Sequence, residues 1–133
     1  MKWFHFAVGF LAAACFSLQA QTIHMRASIP FSFQAGEKVM PAGDYSFRHS
    51  AGVLVVYQED GEHAGFLSYT LSRSRLNPGT SGQLTFHRYG DLYFLEELWE
   101  PGSKDGQAVR VSTRERELAS TGSRSATVAV VTK

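Results

Sequence analysis

Four histidines follow residue 20: His24, His49, His63 and His87. No two lie two, three or four residues apart, the spacings that place ligands on one face of a strand or helix, and no H-E-x-x-H occurs, so no metal centre is expected. Asp60 and Glu62 flank Gly61. An Asp-Gly hairpin explains them better than a calcium loop. Gly79-Thr80-Ser81-Gly82 lacks the G-x-S-x-G order of a nucleophile elbow and has no strand-to-helix setting. Gly90, Gly102 and Gly106 are isolated turn glycines rather than a phosphate loop. Glu96 and Glu97 are adjacent, and in a strand adjacent side chains point to opposite faces, so they cannot serve one substrate as an acid and base pair. The residues therefore predict no enzyme and no cofactor. The remaining constellation is His87, Arg88, Tyr89, Asp91, Tyr93 and Trp99 around the Tyr89-Gly90-Asp91 turn. A guanidinium, a phenol and a carboxylate at a loop end suit contact with a protein or a carbohydrate. The blander reading makes Tyr93 and Trp99 core residues beneath a solvated turn.

Such side chains need a scaffold, and the pattern predicts strands. Ile23, Met25, Ala27 and Ile29 alternate with polar residues, as do Tyr45, Phe47 and His49 after the Pro41-Ala42-Gly43-Asp44 turn. Phe31 and Phe33 extend the first apolar face, and the turn brings Tyr45 and Phe47 beside them into one expected core. Val53 to Tyr57 is a continuous apolar run, expected to be covered on both faces. Gly65 to Leu71 returns from the Asp-Gly hairpin. Ser72 to Gln83 reads as a long loop. Leu84 to His87 and Leu92 to Trp99 flank a further hairpin, in which Glu96 interrupts an apolar face, as a bulge or as a functional inward carboxylate, the bulge being the better fit. Ser112 and Glu115 form a capping-box pair ahead of a helix of one or two turns. Ser125 to Thr132 closes the chain as a Val-rich strand. The expected class is all-β: a small antiparallel sandwich or barrel of about seven strands with one short helix near the C-terminus.

The first twenty residues read differently. Lys2 precedes an uncharged apolar run from Phe6 to Leu18, then Leu18-Gln19-Ala20 offers a small residue at a cut before Gln21. That is the layout of a secretory signal peptide over residues 1–20, with a single β domain over 21–133. The run is shorter than the roughly 20 residues that span a bilayer. Ala12-Ala13-Ala14-Cys15 is the competing signal, a lipobox that would anchor the chain at Cys15, but Ala12 and Phe16 fit it poorly. Cys15 is the only cysteine, so the exported domain has no disulfide and must rest on packing. Setting Lys2 aside from 13 Lys and Arg leaves 12 basic against 12 acidic residues. A neutral domain is not expected to bind nucleic acid or an anionic membrane surface.

The blocks IPFSFQAGEKVMPAGDYSF (Ile29 to Phe47), FHRYGDLYFLEELW (Phe86 to Trp99) and STRERELA (Ser112 to Ala119) resemble a group of small exported proteins frequent in acidobacterial genomes. The resemblance covers most of the chain after the leader. It implies export and a compact β domain, and carries over no activity and no catalytic residue. The expectation is a periplasmic or extracellular binding or structural module of the cell envelope, with a protein or carbohydrate partner and no membrane insertion after leader removal. Two further readings are a small hydrolase or isomerase with a barrel-mouth site, and a subunit that self-assembles through strand edges.

Overall fold

The computed structural model describes residues 23–59 and 65–133. The expected leader over 1–20 and the tip of the Asp60-Gly61 hairpin lie outside the described residues. The elements are β1 (Ile23–Ile29), β2 (Phe33–Ala35), β3 (Lys38–Met40), β4 (Gly43–Ser50), β5 (Val53–Gln58), β6 (Phe66–Ser74), β7 (Gln83–Tyr89), β8 (Leu92–Trp99), β9 (Asp105–Val109), α1 (Thr113–Ser120) and β10 (Ala126–Val131).

All ten strands join one sheet, in the order β1-β4-β5-β6-β9-β8, with β7 and then β10 beyond β8 and the short β2-β3 hairpin also docked on β8. Pairing is antiparallel except for β2, which meets β8 in parallel at Gln34 and Phe94. β6 bends the sheet: its residues up to Tyr69 pair with β5, while Thr70 to Ser74 pair with β9. The outer strands then approach one another, and the Lys133 N–H donates to the Arg26 carbonyl at 2.8 Å. The result is a rolled, open sheet whose edge strands β1 and β10 come near one another. β1 and β10 nevertheless stay edge strands, each paired on one side only.

The seven expected strands are present, and β2, β3 and β9 are additional. Their sequences explain the miss. β2 and β3 have three residues each, and Asp105-Gly106-Gln107-Ala108-Val109 shows no clean alternation. Part of the expected Ser72 to Gln83 loop belongs to β6, which runs to Ser74. Ser50 pairs with Val53, so the β4–β5 loop is the two residues Ala51 and Gly52, both at positive φ (51° and 76°). That is the geometry of a type I′ hairpin, whose twist matches its strands.

Core residues come from one face of each strand. Met25, Ala27 and Ile29 of β1, Tyr45 and Phe47 of β4, Leu54 and Val56 of β5, Leu84 and Phe86 of β7, and Leu95 and Leu98 of β8 form a single buried cluster. Phe33, Tyr45 and Phe47 lie in it as expected, while Phe31 is half-buried against it, stacked on Tyr93 at 3.8 Å and edge-on to Phe86. β5 is not covered on both faces: Leu54 and Val56 are buried, whereas Val53, Val55 and Tyr57 are only half-buried on the outer side. Among the described residues, no helix is long and apolar enough to cross a membrane.

Candidate functional site

The β7–β8 hairpin carries most of the residues singled out by the sequence, and a bulge decides how they are divided. Thr85 pairs with Glu97 but Phe86 pairs with Leu95, so Glu96 is the extra residue. The bulge reverses the sides on which the later β8 residues stand. Tyr93, Leu95 and Leu98 face the main core cluster, and Phe94 and Trp99, also buried, stand on the opposite face, whereas unbroken alternation would have grouped Phe94 with Leu98.

On the outer face, His87 stands between two carboxylates. Its Nδ1 lies 2.6 Å from Glu115 Oε1 and its Nε2 lies 2.9 Å from Glu96 Oε2. Tyr89, on the same face, reaches Glu115 Oε1 at 3.5 Å and packs edge-on to Phe94. Glu115 comes from α1. Ser112 caps that helix by accepting from the Glu115 N–H at 3.1 Å, so half of the expected capping box forms. The Glu115 carboxylate, only 5% exposed, turns its Oε1 to the sheet. A second tie holds the start of α1: the Thr113 N–H and hydroxyl both donate to Glu37 Oε1, from the β2–β3 turn, and this lowers the Glu37 carboxyl below its ordinary range. The helix is therefore fastened by polar contacts more than by apolar burial.

Protons in this cluster are constrained by geometry. Each ring nitrogen of His87 faces a carboxylate oxygen, so both contacts are hydrogen bonds only if the ring is doubly protonated or one carboxyl carries a proton. Burial raises the Glu96 carboxyl above its ordinary range; His87 and Arg73 pull it down, while Glu97 and Glu115 add to the rise. Burial and the charge of Glu115 likewise raise the Tyr89 phenol, against a hydrogen bond from Ser125. Two carboxylates on opposite sides of one ring do not converge on a shared metal position. Among the described residues there is no group of three His, Cys, Asp or Glu arranged to hold a metal.

The six sequence candidates thus separate. His87 and Tyr89 lie together beneath α1. Arg88 and Tyr93 lie on the other face, with the guanidinium 5.6 Å from the ring centroid, and Asp91 is exposed in the turn. Trp99 stands at the far end of β8. Its ring covers Gly106, where a Cβ would come within 2.5 Å of it, while Arg75 lies 4.6 Å over its face and its Nε1–H donates to Glu97. Trp99 is a packing residue of the β8–β9 joint.

The sequence candidates did not include Glu115, Glu96 or Arg124. The first two lay in recognised local signals, a capping box and a bulge, but nothing in either motif connects them to His87. A second polar region lies at one end of the rolled sheet, beside the β4–β5 turn. It is a depression of about 340 Å³ lined by His49, Ser72, Arg73, Glu100, Asp105 and Gln107, among others. His49 is 8% exposed, and burial lowers its pKa. Its Nε2 sits 2.8 Å from Thr70 Oγ1, which also lies 3.0 Å from Gln107 Oε1. The Thr70 hydroxyl also lies 3.4 Å from the Gly52 carbonyl, so one hydrogen serves three neighbouring acceptor or donor groups. On the outer face of β6, Tyr69 and Leu71 are 76% and 71% exposed. No family model, no curated protein and no solved structure matches this chain.

Proposed function

We propose that this protein is an exported, non-catalytic binding module of the cell envelope that presents its β7–β8 turn to a protein or carbohydrate partner. The observation that carries the reading is the enclosure of His87. Both ring nitrogens are engaged by carboxylates of the protein itself, so the imidazole has no free nitrogen to turn toward a substrate. Its chemistry is spent on fastening α1 behind the hairpin. The turn in front stays exposed on a stiff two-stranded base, which suits recognition. The apolar leader and its Ala20 cut support export to the periplasm or the outside.

The packing of the hairpin decides which variants test this. Tyr89 packs on Phe94 and bonds Glu115, so replacing it would disturb the hairpin as well as any contact. The better pair is Arg88→Lys with Asp91→Ala. The tagged protein should recover specific partners from its own envelope fraction, and the pair should lose them with unchanged circular dichroism. Unchanged recovery moves the contact elsewhere. Intact mass should place the mature start at Gln21, and a lipidated Cys15 would place the domain on a membrane instead.

That end of the rolled sheet beside the β4–β5 turn favours a second reading, a small hydrolase or isomerase. The specific observation is the 340 Å³ depression with buried His49 and the carboxylates of Glu100 and Asp105. Turnover of a model ester or glycoside that disappears in His49→Gln, with the fold intact, would establish it over the first.

A further inference from the structure

We propose that the depression between the β7–β8 turn and the loop after α1 is a site for a phosphate group, held between Arg88 and Arg124. It has a volume of about 290 Å³ and is lined by Arg88, Gly90, Arg124, Ser125 and Ala126. As an account of what the hairpin recognises, the proposal rests on the binding reading above.

Charge separates this depression from four other sizeable ones. Each of those pairs its cations with a carboxylate: Arg110 and Arg116 with Glu37, Arg26 with Glu59, Arg73 with Glu100 and Asp105, and Lys133 with Asp44. Here two arginines line one hollow and no Asp or Glu does. In a domain of balanced charge, two cationic residues lining one hollow with no acidic residue among them are an arrangement that an anion relieves.

Arg88 is held ready. Its Nε donates to the Gly90 carbonyl at 2.7 Å and its guanidinium lies over the Tyr93 ring. That leaves the two terminal nitrogens, with four N–H groups, for a ligand. Gly90 adopts φ of +61°, which turns its carbonyl to Arg88 at no side-chain cost. Among the described residues, Arg124 makes no ion pair or hydrogen bond.

The geometry favours phosphate over carboxylate. One guanidinium saturates a carboxylate with two parallel bonds, which leaves the second arginine unused. A phosphate group brings close to two negative charges and three acceptor oxygens in a tetrahedral array, and so can bond both walls together.

The test is an amide NMR titration of the purified protein with inorganic phosphate at low ionic strength. Saturable shifts at Gly90 and at residues 124–126 are expected, with acetate at matched ionic strength at least tenfold weaker. Arg124→Ala, which removes no ion pair or hydrogen bond among the described residues, should weaken phosphate at least tenfold; Arg88→Lys, which keeps charge but loses the fork, should also weaken it. No saturable shift, equal response to acetate, or an unaffected Arg124→Ala would each overturn the proposal. Co-sedimentation with phosphatidic acid vesicles, lost in Arg124→Ala, would identify a lipid headgroup as the source. Phosphate binding without vesicle binding would identify a soluble or polymer-borne phosphate ester. Envelope partners that stay bound to an Arg124→Ala, Arg88→Lys protein unable to bind phosphate would leave the site standing and remove the hairpin as the contact surface. Loss of partners from that protein, with no phosphate binding by the native one, would do the reverse.

Discussion

Two histidines of one chain end in opposite roles because of what surrounds them. His87 is bracketed by carboxylates and acts as a fastener, whereas His49 is buried beside hydroxyl and amide groups with no carboxylate among its hydrogen-bond partners. For His49 burial disfavours the imidazolium, so the folded ring holds its proton less tightly than the unfolded chain does. The sign of the linkage follows. Its contribution to stability is fully present above about pH 6.5, the ordinary histidine value, and is lost as pH falls through the lower folded pKa. The His49 ring should therefore titrate below about 6.5 by NMR, and His49→Gln should flatten the fall of Tm in that interval. A midpoint at or above 6.5 would contradict the burial seen here. Glu96 works in the opposite sense. Its raised carboxyl favours the folded state at low pH and loses that contribution as pH rises through the folded value.

At the scale of elements, α1 is the weakest attachment and the most testable. It has eight residues, Glu115 is its buried one, and isolated helices of that length are not stable in water. Its position depends on the Ser112 cap, on Glu37 at Thr113 and on the Glu115–His87 contact. Ser112→Ala should cost about 1 kcal/mol. Glu115→Ala should cost more, since it leaves His87 with one partner and Tyr89 without its acceptor. Arg114 and Arg116 are exposed on this helix, so its release is readable as faster tryptic cleavage there at temperatures where the sheet is still folded. Cleavage at the native rate in Glu115→Ala would show that the helix is held by other means. The bulge at Glu96 matters equally at this scale. Were Glu96 paired in a regular ladder instead of bulged out, every β8 side chain beyond it would change face, and Leu98 would leave the core for the surface.

For the molecule as a whole, stability rests on one apolar cluster, because no disulfide is available to a chain whose only cysteine is Cys15. Phe47 lies in that cluster with no exposed surface, opposite Met25 on one side and Val56 on the other. Phe47→Ala should cost about 3 to 5 kcal/mol. That is a large part of a typical total of about 5 to 15 kcal/mol, measurable as a fall in a single unfolding transition. A Tm unchanged within error would mean that this register is wrong by one residue. Much of this was readable beforehand. Alternation at Ile23 to Ile29 and Tyr45 to His49 fixed which residues face inward, since a strand has a period of two and only one face of each is buried. Glu96 betrayed its bulge by breaking an apolar series, and Ser112 with Glu115 betrayed the start of α1, because bulges and caps leave local marks. The three unread strands leave none: β2 and β3 are too short to show a period, and β9 is specified by its neighbours β6 and β8 rather than by its own residues. The side-chain clusters were beyond the sequence for a related reason. His87 and Glu115 are 28 residues apart, and Arg88 and Arg124 stand on segments separated by the whole of β8, β9 and α1. Sequence determined the strands, their inward faces and the caps, all products of interactions among near neighbours along the chain. Only the rolling of the sheet and the return of α1 across it decided which charges meet, because that depends on contacts between residues no local rule relates.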